Sequence, residues 1–208
     1  MIKSIIFDMD GVISDTQKIH SKIEAKLLNR FGVNITASEI TEKYSGVHTN
    51  DFFQKLLGKR IDVDALLEEK WMIMAKEISE NGVSEIDGAS QLIEKLHKKY
   101  SLAVASASPL HFIETVLSSL QLRDYFSCIA SAEEVENGKP EPDVFLLAAE
   151  RLNISPQNCL VIEDGISGIV ASKKAGMYCI GIVHNQKLDY DKYPANKLVN
   201  KMEQIKII

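Results

Sequence analysis

The stretch Ile5-Ile6-Phe7-Asp8-Met9-Asp10-Gly11-Val12 decides the fold. An apolar run passes into two carboxylates one residue apart and then into a glycine, the pattern of a buried strand that ends in acid. In an open α/β sheet, ligands bind in the crevice beyond the carboxyl ends of the strands, so Asp8 and Asp10 sit where chemistry is expected. Side chains at i and i+2 of an extended segment face the same way, so both acids can reach one ion or one substrate. Two like charges this close in a dry crevice repel unless a shared proton or a cation relieves them. A hard cation held by oxygen ligands, such as Mg²⁺, is the natural remedy.

Working outward, short apolar runs recur at Leu102-Ala103-Val104-Ala105, Cys128-Ile129-Ala130, Leu160-Val161-Ile162 and Cys179-Ile180-Gly181-Ile182-Val183. They read as buried parallel strands. Helical stripes lie between them: Ala89, Leu92, Ile93 and Leu96; Ile113, Val116, Leu117 and Leu120; Val144, Phe145, Ala148 and Leu152; Ile166, Ile169 and Ala171, with Gly176 as a helix stop. Alternation of strand and helix predicts an α/β fold, a doubly wound parallel sheet. If its strands take the order 3-2-1-4-5, those carrying Asp8 and Glu163-Asp164 lie side by side at the topological switch point.

The first two strands break this rhythm, because about 80 residues separate them where a crossover needs a dozen or a few dozen. The interval is helical in pattern. Ile19, Ile23, Leu27 and Phe31 form one stripe, Thr36-Ala37-Ser38-Glu39 has the form of a capping box, Phe52, Phe53, Leu56 and Leu57 lead to Gly58, and Val63, Leu66, Leu67, Lys70, Trp71, Met74 and Ile78 continue the pattern. Residues 16–85 therefore read as a small helical domain inserted into a core made of 1–15 and 86–208, placed as a lid over the acids.

Composition narrows the function. Of 208 residues, 45% are hydrophobic, as in an ordinary globular protein, and the formal charge is -5 with no basic run, which argues against nucleic acid as a partner. No segment approaches the roughly 18 consecutive apolar residues of a membrane span, and the N-terminus lacks the charged and apolar regions of a signal peptide. A soluble cytoplasmic monomer is expected. Cys128, Cys159 and Cys179 lie in apolar segments and read as buried free thiols, and the histidines show no paired ligand spacing, so zinc is not expected.

Four strand ends or adjoining loops carry reactive groups in order: Asp8 and Asp10; Ser106 within Ala105-Ser106-Ala107-Ser108; Lys139 within Gly138-Lys139-Pro140-Glu141-Pro142; and Glu163-Asp164-Gly165. Lysine supplies a fixed positive charge and serine a hydroxyl donor. As one ordered set these motifs resemble the haloacid dehalogenase superfamily, in the branch with a helical cap inserted after the first motif, similar to beta-phosphoglucomutases and sugar-phosphate phosphatases. The match runs nearly end to end.

The resemblance implies that Asp8 is a nucleophile that becomes an aspartyl-phosphate, that Asp10 is the general acid and then the base, and that Ser106 and Lys139 complete the catalytic set. It implies Mg²⁺ on Asp8, Asp164 and the backbone carbonyl of Asp10, with Glu163 in or next to the coordination sphere. It places Gly11, His20, Gly46, Ala107 and Ser108 against a small phosphorylated metabolite. Ser108, ahead of Pro109, reads equally as the N-cap of the next helix. His20 reads equally as a plain helical histidine; Lys70 reads as a solvated charge sooner than as a contact to a substrate phosphate or sugar, and Trp71 and Met74 read as cap core. His48 and Thr49 lie in a loop that touches substrate in relatives. Beta-phosphoglucomutases carry an arginine at the position of Thr49, where it grips the second phosphate of a bisphosphate, and threonine offers no such charge. A Mg²⁺-dependent phosphatase of sugar phosphates is the leading expectation, ahead of a sugar-phosphate mutase and of a non-catalytic binding protein.

Overall fold

The structure, a computed structural model, describes residues 1–44, 49–58, 61–184 and 188–207. The chain divides into two compact units, Met1–Asp15 with Val83–Ile208, and Thr16–Gly82. Residues 83–85, which the sequence pattern assigns to the insert, return with the first unit. Ser84 accepts a hydrogen bond from the Asp15 amide at 2.9 Å, and Glu85 forms an antiparallel bridge with Ser14.

The first unit is built on a six-stranded, wholly parallel sheet: β1 (Ser4–Phe7), β2 (Ser101–Ser106), β3 (Cys128–Ser131), β4 (Cys159–Glu163), β5 (Tyr178–Ile182) and β6 (Lys197–Val199). The spatial order is β3-β2-β1-β4-β5-β6. Each apolar run picked out from the sequence lies in one of the first five strands; β6 has too few residues to carry a period and is specified only by its pairing with β5. Ile5, Ile6 and Phe7 have no exposed surface, as expected for a central strand covered on both faces. Ile6, Ala103, Ala105 and Val161 pack with Val144, Phe145 and Ala148 of α7 (Asp143–Arg151) and with Ile169 and Ala171 of α8 (Ile166–Lys174). The alternate residues point to the opposite face, where Phe7 meets the edge of Phe126. Helices α5 (Ala89–His97) and α6 (Leu110–Ser119) complete the unit.

Register sets the site. Phe7 stands opposite Val104 on one side and Ile162 on the other, so Asp8 emerges beside Ala105 and Glu163, and its amide donates to the Ile162 carbonyl at 2.9 Å. Chain order reverses between β1 and β4, which makes this the switch point of the sheet.

The second unit holds α1 (Gln17–Asn29), α2 (Ala37–Tyr44), α3 (Thr49–Leu57) and α4 (Val63–Asn81). The capping box forms as the sequence predicts: Glu39 N–H donates to Thr36 Oγ1 at 3.2 Å and Thr36 N–H donates to Glu39 Oε2 at 3.0 Å. Phe52 and Phe53 are buried, Tyr44 stacks on Phe52, and Met74 is fully buried. Two expectations fail. Phe31 is 42% exposed, because α1 has ended at Asn29 and the turn through Gly32, at φ +81°, takes the chain off the stripe. Lys70 is not solvated: only 1% exposed, its ammonium donates to Glu24 Oε1 at 2.7 Å and to Thr49 Oγ1 at 3.1 Å and lies 4.6 Å from the centroid of the half-buried Trp71. Glu24 is itself buried on α1, and a buried carboxylate draws its counter-ion inward. Gly46 and His48 lie outside the described residues. Among the described residues, no helix is long and apolar enough to cross a membrane.

Candidate active site

Asp8, the first residue past β1, is 7% exposed. Lys139 reaches it from the loop ahead of α7, and the lysine is held by three acceptors: Asp8 Oδ1 at 2.5 Å, Glu163 Oε1 at 2.8 Å and the Ala105 carbonyl at 3.2 Å. Each of the three ammonium protons therefore has an oxygen, and the Phe145 ring lies beneath at 4.8 Å to its centroid. Glu163 ends β4, and its second oxygen, Oε2, accepts the Gly165 N–H at 2.5 Å. Asp164 follows, half-buried, and carboxylate oxygens of Asp8, Glu163 and Asp164 lie within 4.8 Å of one another.

Two glycines make the cluster possible. A Cβ on Gly168 would come within 1.8 Å of Glu163 Oε1, so the first turn of α8 leaves room for that carboxylate only because the position has no side chain. Gly11 has φ +86°, and a Cβ there would fall 2.2 Å from Asp164 Oδ2.

The electrostatics follow from one ammonium facing several acids. Burial pushes Asp8 up to about 8, against the pull of Lys139 and with added repulsion from Glu163 and Asp10. Asp164 is likewise raised well above the carboxylate range, by burial first and then by Glu163 and Asp8. Burial works to lower Lys139, but the charges of Asp8 and Glu163 outweigh it and hold the ammonium protonated. Carboxylates thus outnumber the ammonium, an excess that protons or a cation would offset.

Ser106, Ala107 and Ser108 occupy the end of β2 and the loop beyond it. Ser106, at the end of β2, is fully buried, and its Oγ accepts the Ser108 N–H at 3.1 Å. Ala107 is exposed between the two serines. Ser108 is not the N-cap of α6: Pro109 takes that place, and the Leu110 N–H donates to Glu133 Oε2 at 3.1 Å. The Ser108 hydroxyl instead donates to Asp10 Oδ2 at 2.8 Å, while its carbonyl accepts from Ser131 Oγ at 2.8 Å. His20 belongs to the second unit, where its ring meets Trp71 edge-on and its Nδ1 lies 3.9 Å from Glu24 Oε1.

The sequence reading gives Phe145 only a place in a helical stripe and assigns no part in the site to Ser131, Gly168 or His184. Phe145, Ser131 and Gly168 act through packing or through bonds to residues distant in sequence, which no local pattern reveals. His184 stands immediately after the apolar run Cys179–Val183, the same strand-end signal that singles out Asp8 and Ser106. Its Nε2 lies 2.7 Å from the Gly11 carbonyl oxygen.

The chain belongs to the haloacid dehalogenase-like hydrolases: the model of that family matches residues 5–182. It is 32% identical over 193 residues to the phosphorylated carbohydrates phosphatase of Thermotoga maritima, a match spanning 88% of this chain and 87% of the relative. It is 30% identical over 181 residues to the fructose-1-phosphate phosphatase of Escherichia coli strain K12, spanning 86% and 95%. Among solved structures, the beta-phosphoglucomutase of Clostridium difficile is similar with a TM-score of 0.81 at 30% identity, over 99% of this chain and 94% of that one.

Proposed function

We propose that this phosphatase, a phosphoric monoester hydrolase, acts on small phosphorylated sugars with Mg²⁺ bound and through an aspartyl-phosphate on Asp8. The observation that carries the reading is the convergence of Asp8, Glu163 and Asp164 about the Lys139 ammonium at the switch point of the sheet. Two relatives named for phosphorylated carbohydrates and fructose 1-phosphate support the sugar class.

The donor set suits a hard divalent cation. Its ligating atoms are carboxylate oxygens, partly desolvated, and one lysine leaves them short of positive charge. Asp8, Asp164 and the Asp10 carbonyl would hold Mg²⁺, with Glu163 beside them. When bound, the cation polarises the phosphoryl oxygens and offsets their charge.

The chain's own residues supply the rest. Lys139 fixes the Asp8 carboxylate by a short hydrogen bond and places a permanent charge next to where the phosphoryl group arrives. An Asp8 oxygen attacks phosphorus, and Asp10 gives its proton to the leaving sugar oxygen. Asp10, left as a carboxylate, takes a proton from the water that then cleaves the acyl phosphate, and Asp8 is regenerated. Ser108 steadies the Asp10 carboxyl from the β2 side. Ser106 and the exposed Ala107 line the loop where phosphate oxygens would be received.

The likeness to a beta-phosphoglucomutase makes mutase chemistry the second reading. Thr49, at the position of the mutase arginine, has no charge, and its hydroxyl donates to Glu24 and accepts from Lys70. That favours loss of the phosphoryl group to water. The test is inorganic phosphate release from a panel of sugar phosphates, with and without Mg²⁺, for the wild type and Asp8→Asn, with β-glucose 1-phosphate plus a bisphosphate included. Mg²⁺-dependent release that falls by at least about 10⁴-fold in Asp8→Asn is expected. Isomerisation without release would transfer the assignment to a mutase, and metal-independent release would remove the proposed Mg²⁺ role.

A further inference from the structure

His184 is used by none of the chemistry above, yet it touches the loop on which that chemistry depends. It lies two residues past β5, and the intervening Val183 is itself fixed: its N–H donates to the Val199 carbonyl at 2.9 Å, and Asn200 Nδ2 donates to its carbonyl at 3.0 Å. The short strand β6 thus anchors the residue that precedes the histidine. Although β4 lies between β5 and β1 in the sheet, the ring reaches Gly11, just past β1. A carbonyl oxygen can only accept, so Nε2 carries hydrogen and donates at 2.7 Å.

Gly11 is the hinge of the acidic loop. Its N–H donates to the Ser14 carbonyl at 2.9 Å, its carbonyl accepts from His184, and the space beside its Cα is filled by Asp164 Oδ2. The peptide that joins Asp10 to Gly11 also carries the Asp10 carbonyl. Freed from the histidine, a glycine at φ +86° has a wide choice of backbone angles, and rotation there would turn the Asp10 carbonyl and move Gly11 against Asp164.

We infer that His184 is a positioning residue: by holding the Gly11 carbonyl it fixes the Asp10–Gly11 loop against Asp164 and thereby sets the geometry in which Asp8, Asp164 and the Asp10 carbonyl receive a divalent cation. The inference rests on the reading of this site as a metal-dependent phosphatase. A hydrogen bond that orients a ligand from outside the coordination sphere is commonly worth 10–100-fold in metal affinity. His184→Ala removes the donor. His184→Gln offers an amide N–H at a similar reach and adds no charge to the site.

The experiment is Mn²⁺ binding to the full-length protein, followed by the electron paramagnetic resonance signal of free Mn²⁺ and by competition with Mg²⁺, together with kcat and KM for phosphate release. Thermal melting without metal serves as the folding control. His184→Ala is expected to bind Mn²⁺ about 10–100-fold more weakly and to lose kcat with KM changed little, while His184→Gln recovers most of both. A His184→Ala protein that binds Mn²⁺ within twofold of the wild type overturns the inference, as does a His184→Gln protein no better than His184→Ala. If the wild type itself binds no Mn²⁺ and releases no phosphate, the reading of the site falls and takes this inference with it. Normal wild-type binding and release with an unaffected His184→Ala would fell this inference alone.

Discussion

Among the described residues each unit of the molecule buries one lysine, and the contrast between them separates a site from a strut. Lys139 and Lys70 are 5% and 1% exposed, each donates to a buried glutamate, and each ammonium sits over an aromatic ring, Phe145 or Trp71. Lys70 donates to the Glu24 carboxylate and to a neutral hydroxyl, so the one acid it is bonded to here is matched by its own charge. Lys139 meets two carboxylates, and Asp164 stands beside them, so the cluster keeps an excess of negative charge. Removal of an ion pair from water is costly in both places, and only a pair in good geometry offsets it. In the second unit the arrangement ends there. In the first, the surplus suits the cluster to the proposed role of receiving a cation.

The largest expected effect tests the strut. Lys70→Met strands the Glu24 carboxylate in the interior and is expected to destabilise the protein by about 3–5 kcal/mol, read from urea unfolding. Adding Glu24→Gln should return a large part of that loss. A single mutant as stable as the wild type would show that Lys70 and Glu24 are not the matched pair described here.

Lys139→Met tests the receptor. Loss of one preorganised charge next to the reacting group is expected to lower kcat for phosphate release by about 10²–10³-fold, or about 2.7–4 kcal/mol. The measurement is kcat at saturating Mg²⁺ and substrate. Activity within tenfold of the wild type would reduce Lys139 to the same structural role as Lys70.

The smallest effect is the pH dependence of the metal-free protein. Asp8 moves from an ordinary 3.8 to about 8 on folding, and Asp164 also rises, so between those values the folded state binds more protons than the unfolded one. Stability contributed by these groups therefore falls as pH rises from about 4 toward 8. Calorimetry without metal should show a lower melting temperature at pH 8 than at pH 5, and Mg²⁺ should restore more at pH 8. Equal stabilisation by Mg²⁺ at both values would indicate that the acids are already ionised before the cation arrives.

How far the sequence could be read depended on whether the signal was local. The strand of Ile5-Ile6-Phe7, the capping box at Thr36 and Glu39, and the four motifs in series each declare themselves within a few residues, because burial and hydrogen bonding act there over one strand or one turn. Phe31 misled, since apolar spacing alone did not reveal that Gly32 turns the chain. Lys70 misled for a different reason: a lysine on a helix is usually solvated, and its true partner, Glu24, lies on another helix.

By itself the sequence determined the parallel α/β sheet, the helical insertion after the first acids and the identity of Asp8, Asp10, Lys139, Glu163 and Asp164 as the residues to watch. Those followed from periodicity, from acids placed at strand ends and, for Lys139, from its place in the ordered series of motifs. Tertiary structure alone decided that Lys139 spans Asp8 and Glu163, that Ser108 serves Asp10 rather than α6, and that His184 closes on Gly11. Each of those contacts joins residues tens or more than a hundred positions apart, and hydrogen bonding at such separations is fixed by strand register and strand order, which no local pattern encodes.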